Sequence, residues 1–474
     1  MRVRGGAFTL LLVAALCQCS AFSFPVSVHG HVKKGVGRGF AKHNDVLLRQ
    51  NRVLMSLQGG ASSSDGVKPG GAGSQLVTDS LSGMTCALAS IPSSIAFAAI
   101  AGVNPLIGIW SSVVLGLTTA IWGGRPGLIT GAAGVVVVPL APLVATHGTA
   151  YMGAAILVAG VMELLFGCLK LGSVIKLVTP NVMCGFLNGL GLLLLKSQAS
   201  AFQQAATGAW LARPELTAAA GLAAATAAIV QFLPKLTTAV PSALVGVAAT
   251  SVAAVLMKLP VKTLTDVAGA ATFQGGWSVL PTWSGLPAVP LALSTLKVVA
   301  PVALSIAVIS LMETLLAVTT VNDSKGSGKE GDLNRTCVGL GLGNLASMLM
   351  GGFGGCGLMP QTLLNLQQGG RGTASSLSYA LSMAVSVAAL AGLIGQIPLA
   401  SLGGLMIAVS LSTIQWKDTF ARASAAFGSK REGVVDFLAM AVASAVCVTV
   451  DMGAGIVAGV SITQANKWWR QRKA

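Results

Sequence analysis

The chain has 474 residues, of which 53% are hydrophobic and 9% charged, and a mean hydropathy of +0.77; water-soluble domains carry about 25% charge, so a soluble globular fold is excluded. The formal net charge of +16 comes from basic residues scattered singly, which argues against nucleic acid as a partner and for membrane topology. Lipid offers backbone amides no hydrogen-bond partners, and the apolar runs lack the ~10-residue alternation of barrel strands, so the expected fold is all-α and polytopic.

With 59 glycines and 5% aromatic residues, the helices are expected to pack through small side chains. The eight cysteines are read as buried small residues, and His147 is the only histidine after residue 43. The sequence holds no nucleophile paired with a base, no metal cluster and no phosphate loop, so neither an enzyme nor a cofactor is expected.

In chain order, residues 1–21 have a basic start (Arg2, Arg4), an apolar run from Phe8 to Cys17 and a small-residue end, the layout of a signal peptide. Residues 22–57 set six basic residues against the single acid Asp45, as an organellar transit peptide does. The junction Ser20-Ala21-Phe22-Ser23-Phe24-Pro25 resembles the Ala-Phe cleavage motif of bipartite presequences in algae with complex plastids. That resemblance implies a plastid membrane, inner envelope or thylakoid; an ordinary secretory signal leading to another membrane of the secretory route is the alternative. A Gly- and Ser-rich linker is expected over 58–75.

At ~20 apolar residues per span, helices are expected near 77–101, 104–122, 127–141, 149–169, 173–196, 215–232 and 239–257. A second seven fall near 295–321, 335–351, 356–367, 374–392, 398–414, 433–450 and 453–468. Of the basic residues beyond the linker, the loops on one side and the C-terminal tail then hold sixteen, among them Arg125, Lys170, Arg335 and Arg371. The other side holds five: Lys196, Arg213, Lys258, Lys262 and Lys297. That asymmetry supports fourteen spans with both termini on one side, the stroma if the plastid reading holds.

Two segments are short and glycine-rich at the start: Arg125 to Val135 after Gly123-Gly124, and Gly354 to Leu363 after Gly351-Gly352. Each is third in its set of seven. Glycine- or proline-interrupted segments at matching places in two halves point to a transporter's midplane site, because half-helix N-termini bring N–H groups and partial positive charge to an anion. The other reading is that these glycines only permit tight helix crossing. Glu313 lies mid-span, where a carboxylate costs roughly 3 kcal/mol on insertion scales, so a sodium ion or a proton is its expected partner, or else a hydrogen bond to a neighbouring helix. Glu163 is nearer a span end, within expected reach of Lys170 or the interface, with a structural and a coupling role equally open; Asp451 reads as a helix cap.

From about residue 77 to 470 the chain resembles the SulP anion transporters, and among them the BicA-type sodium-dependent bicarbonate transporters of cyanobacteria. The likeness rests on ordered motifs: Ile91-Pro92-Ser93-Ser94-Ile95-Ala96-Phe97-Ala98, Gly102-Val103-Asn104-Pro105, Gly123-Gly124-Arg125-Pro126 and Leu169-Lys170-Leu171-Gly172. It continues through Gly185-Phe186-Leu187-Asn188-Gly189, Asn334-Arg335, Gly369-Gly370-Arg371, Ile397-Pro398-Leu399-Ala400 and Val450-Asp451-Met452.

The resemblance implies a transporter domain over 76–470 built as seven-plus-seven inverted repeats (76–258 and 294–470). It also implies a core domain moving against a gate domain like an elevator, a homodimer, and a small inorganic anion as substrate: bicarbonate coupled to sodium, or else sulfate with a proton or sodium, or an exchanger or channel of the same family. By position it puts Ala132, Ala133 and Gly134, with Ser93, on one side of the anion and Met359, Pro360, Gln361 and Thr362 on the other, and the coupling ion at Glu313 and Ala317. The sequence also departs from the family pattern. Gln361 stands where many sulfate- and chloride-carrying relatives have arginine. Ala317 replaces a hydroxyl residue expected near sodium, and Ser93 stands where glutamine is common. The STAS domain that usually follows is not expected here.

Overall fold

The computed structural model describes residues 72–471 apart from 205–208, 238–239, 274–278, 280, 282, 290–291, 323–329 and 428–430. The signal and transit-like segments therefore lie outside the described residues, as does the linker up to residue 71. From 72 the linker is already helix.

Sixteen helices follow one another among the described residues: α1 Ala72–Ile100, α2 Pro105–Trp122, α3 Gly134–His147, α4 Thr149–Cys168, α5 Pro180–Ser197, α6 Arg213–Leu236, α7 Ser242–Leu256 and α8 Leu264–Ala268. After the middle of the chain come α9 Leu293–Asn322, α10 Leu333–Leu349, α11 Met359–Gln367, α12 Thr373–Ile394, α13 Leu399–Thr413, α14 Trp416–Phe427, α15 Arg431–Thr449 and α16 Met452–Gln471. A helix lies at each of the fourteen expected positions. Seven helical stretches are long and apolar enough to cross a membrane by length and composition. Two helices fall where loops were expected. The short α8 is started by a capping box between Thr263 and Asp266. The amphipathic α14 begins at Trp416-Lys417-Asp418, and such a pattern of aromatic and charged residues suits an interface.

Polar residues at the helix ends explain several boundaries. Asn104 accepts from the Leu106 amide ahead of Pro105, whose missing N–H costs nothing at a first turn. Asp332 accepts from the amides of Asn334 and Arg335 and starts α10. Asp451 caps α16 as expected, accepting from Gly453 and Ala454 and also from the Ser305 hydroxyl on α9.

Helix packing divides the described chain into two groups, and both halves divide alike. The first four helices of each half pack together, with α1 and α2 against α12, α2 and α4 against α10, and α4 against α9. Later helices of each half form the second group: α5 against α15 and α13, α6 against α7 and α13, and α15 against α16. Small residues set the crossings. A Cβ on Gly108 would lie 2.0 Å from the Ser94 carbonyl oxygen, and one on Gly404 2.2 Å from that of Ala223, so side chains there would force the helices apart. Five of the six described cysteines are buried as expected. Cys168 is exposed at the end of α4.

Candidate functional site

Both glycine-rich segments begin not as helices but as extended chain, which corrects the expected starts at 127 and 356. Gly127 and Gly354 take left-handed backbone angles that glycine tolerates without strain. Each is followed by a two-residue strand, β1 Thr130–Gly131 and β2 Cys356–Gly357, and the two pair antiparallel. The Leu358 amide continues the pairing by donating to the Ile129 carbonyl over 2.8 Å. A Cβ on Gly355 would sit 2.0 Å from the Gly131 carbonyl oxygen, so only glycine permits this approach. From the crossing, α3 and α11 run off with lengths of about 21 and 14 Å, both short of the ~30 Å hydrocarbon layer.

Side chains fix the crossing from every side. Asn365 on α11 donates to the Gly127 carbonyl and to Ser375, and accepts from Ser82 on α1. The Thr362 hydroxyl lies 3.1 Å from the Ile129 amide. Ala132 donates its amide to Ser112, and the Thr314 hydroxyl on α9 accepts from Gly357. Asp79, which the sequence reading passed over, is buried in α1 and holds the turn after α11 by accepting from the amides of Arg371 and Gly372.

A cavity of about 140 Å³ opens where the two half-helices begin. It is lined by Ser93 and Phe97 of α1, by Ala133, Gly134 and Val135, by Glu313, and by Leu358, Met359, Pro360 and Gln361. Seven of the ten residues singled out in sequence thus meet at one place. The other three do not line it. Ala132 and Thr362 are buried behind the cavity in the bonds just described, and Ala317 packs against Leu128 and Val318. The wall the sequence missed belongs to the second packing group: Met183, Leu187, Leu190 and Leu194 of α5, with Val409 and Thr413 of α13. Apolar residues on a long helix look the same in sequence whether they face a cavity or lipid.

The chemistry of the lining is spare. Among the described residues it includes no lysine, arginine or histidine. Positive potential comes from the first amides of α3 and α11, such as those of Gly134 and Val135, which precede the first intrahelical bonds. Pro360, second in α11, removes one donor from that end. Glu313 supplies the only carboxylate of the lining, with the Cys356 thiol 3.9 Å from its Oε2. Glu163 is elsewhere than expected: fully buried, bonded to Ser310 and to Asn344 rather than to Lys170 or the interface.

The profile of the sulfate permease family matches residues 76–426. The chain belongs to that family of anion transporters. "Putative sulfate transporter YbaR" of Bacillus subtilis is 31% identical over 386 residues, covering 81% of this chain and 75% of YbaR. "Bicarbonate transporter BicA" of Picosynechococcus sp. is 29% identical over 364 residues, which are 71% of this chain and 62% of BicA, so the match spans less than two thirds of that relative. The solved transmembrane domain of a cyanobacterial bicarbonate transporter BicA superposes with a TM-score of 0.65 at 25% identity, covering 81% of this chain and 97% of the domain. The family member is thus an all-α polytopic membrane protein, as its composition required.

Proposed function

We propose that the chain is a secondary active transporter of a small inorganic anion, bicarbonate coupled to sodium, working by an elevator-type exchange of access. One observation supports this most: an anion-sized cavity where two half-helix N-termini meet, bare of fixed cations in its described lining but holding Glu313. Helix-end amides attract an anion. An ionised Glu313 in the same cavity repels it, so anion loading is favourable when a cation neutralises that carboxylate. In this reading Glu313 belongs to the coupling ion, with Ala317 behind it, while Ser93, Ala132, Ala133, Gly134, Met359, Pro360, Gln361 and Thr362 form or support the anion site. The packing group that bears both half-helices, α1–α4 with α9–α12, is the moving core, and the apolar α5 and α13 wall is the gate. Fourteen spans, a homodimer and a plastid membrane with stromal termini complete the proposal.

Uptake of labelled bicarbonate by proteoliposomes, with and without an inward sodium gradient, tests it. Sodium-driven accumulation is expected, and Glu313→Gln removes it. No uptake in either condition overturns the reading. Sulfate is the second substrate considered, because the 31% identical relative is named for it. Competition between the two anions separates these readings, and Gln361→Arg, which adds a fixed cation to the cavity, shifts preference towards the dianion.

A further inference from the structure

Glu163 is a carboxylate buried without trace of solvent exposure in α4, behind the crossing rather than in the cavity. An ion buried this deeply is costly unless a cation or several donors answer it. Its two bonded neighbours are Ser310 of α9 and Asn344 of α10. The titratable groups that feel its charge are thiols, Cys337 from α10 and Cys356 from β2. Glu313 follows Ser310 by three residues on α9, and α3 brings only His147, at its far end.

The Ser310 hydroxyl decides where a proton sits. It lies 2.7 Å from the Ile306 carbonyl oxygen and in hydrogen-bond contact with Glu163 Oε1. A hydroxyl has one proton, and a carbonyl oxygen has none to give. If Ser310 donates to a charged Glu163, its oxygen faces the Ile306 carbonyl lone pair to lone pair. If Glu163 carries a proton, the chain of donors closes: Glu163 donates to Ser310, Ser310 donates to Ile306, and the second carboxyl oxygen accepts from Asn344 over 2.7 Å.

Asn344 links this group to the anion site. Its Nδ2 donates to Glu163 and lies 3.3 Å from the Gly355 carbonyl oxygen, while its Oδ1 accepts from the Gly355 amide over 2.9 Å. Gly355 leads directly into β2 and α11, whose first residues line the cavity. Glu163 therefore senses the backbone that leads into α11, yet does not line the cavity.

We propose that Glu163 is a second coupling site, one that takes a proton, distinct from the cation site at Glu313. On the loading side an O–H bond forms at the Glu163 carboxylate, removing one negative charge near the incoming anion. On the release side the proton returns to water as the anion leaves. No electrons move, and one proton crosses with each turn of the core. The proposal rests on the transporter reading above, and Glu163 acts in it as a positioning residue for α11 as well as a proton carrier.

Glu163→Gln tests it, because the amide keeps both bonds, donating to Ser310 and accepting from Asn344, but cannot give up a proton. The purified full chain in proteoliposomes is assayed with labelled bicarbonate and with labelled sulfate, at equal anion concentration and clamped potential, with the outside either acidic or at the inside pH. The wild type is expected to take up its anion several-fold faster with acid outside. E163Q is expected to run at one rate in both conditions while still exchanging labelled for unlabelled anion. Infrared spectra at neutral pH are expected to show the carbonyl stretch of a protonated carboxylic acid in the wild type, lost in E163Q. S310A, which removes the carboxyl's hydroxyl partner but leaves the carboxyl itself, is expected to shift the pH response rather than abolish it. A wild-type pH response in E163Q, or a carboxylate band in place of the acid, overturns the proposal. A wild type that exchanges neither anion overturns the transporter reading and this proposal with it. The infrared result separates the two failures.

Discussion

A methyl group is enough to test the site at Gly134. This residue opens α3, and a Cβ there would lie 2.9 Å from Phe97 Cε1 and 3.2 Å from Leu194 Cδ2, both atoms at the ends of side chains that can swing aside. The fold can absorb such a methyl, but the cavity cannot, since Phe97 and Leu194 both line it. Gly134→Ala is expected to cut anion uptake about tenfold while the melting temperature of the purified protein stays within a few degrees of wild type, as misplacement by ~1 Å commonly costs activity far more than stability. A large fall in melting temperature with unchanged uptake per folded molecule would show that Gly134 serves packing instead. At this scale the sequence was informative where chemistry is rare. A carboxylate in mid-span and glycines before a short apolar run stand out, and Glu313, Gly134 and Gln361 do meet at one cavity. Asp79 and Asn365 did not stand out. Their task is to hold backbone amides and carbonyls in turns 292 and 238 residues away in the chain, and no local pattern encodes partners that distant.

Half-helices are stable only if something satisfies the extended chain that leads into them, since its amides and carbonyls lie within the membrane-embedded bundle. Here β1 and β2 satisfy each other, and Asn365 on α11 ties the approach to α3, through Gly127, to α12 and α1, through Ser375 and Ser82. Asn365→Ala removes a buried partner from all three; Ser82 keeps its bond to the residue 365 backbone carbonyl and Ser375 its bond to the Gly372 carbonyl, so the main loss falls on the Gly127 carbonyl. Leaving buried polar groups unsatisfied costs about 1–3 kcal/mol each, so the melting temperature of the purified protein is expected to fall by several degrees, with Asn365→Asp recovering only the bond from Ser82. Helix boundaries read from sequence were good where capping residues mark them, as at Asn104, Asp332 and Asp451. They failed at the crossing because glycine-rich chain is compatible with helix, turn and strand alike. Pairing with a segment more than 200 residues away decided the outcome in favour of strand.

At the scale of the whole molecule, the chain passes from one packing group to the other after α4, after α7 and after α12, and the last two of these crossovers are stitched together. Leu264 donates to the Ile397 carbonyl, Thr265 to that of Gly395 and Leu399 to that of Lys262, so the two passages act as one short ribbon. Movement of one group against the other must bend this ribbon. Its stiffness is set in part by Asp266, whose Oδ2 accepts from both the amide and the hydroxyl of Thr263 at 2.8 Å. The Thr263 backbone N–H, then its hydroxyl, hold the Asp266 carboxyl below the usual carboxylate range, with Lys262 adding a smaller pull in the same direction and slight burial opposing it. A folded value depressed below the unfolded one means stability that is fully present above the ordinary aspartate value of about 3.9. That stability is lost as the pH falls through the folded value, because protonation removes an acceptor only the folded state uses. Melting curves of wild type and Asp266→Asn are therefore expected to differ at neutral pH, with the variant lower, and to converge as the solution is acidified past the folded value. A gap that stays constant across that range would mean that Asp266 supports α8 by shape alone, and that the ribbon owes its stiffness to the backbone bonds.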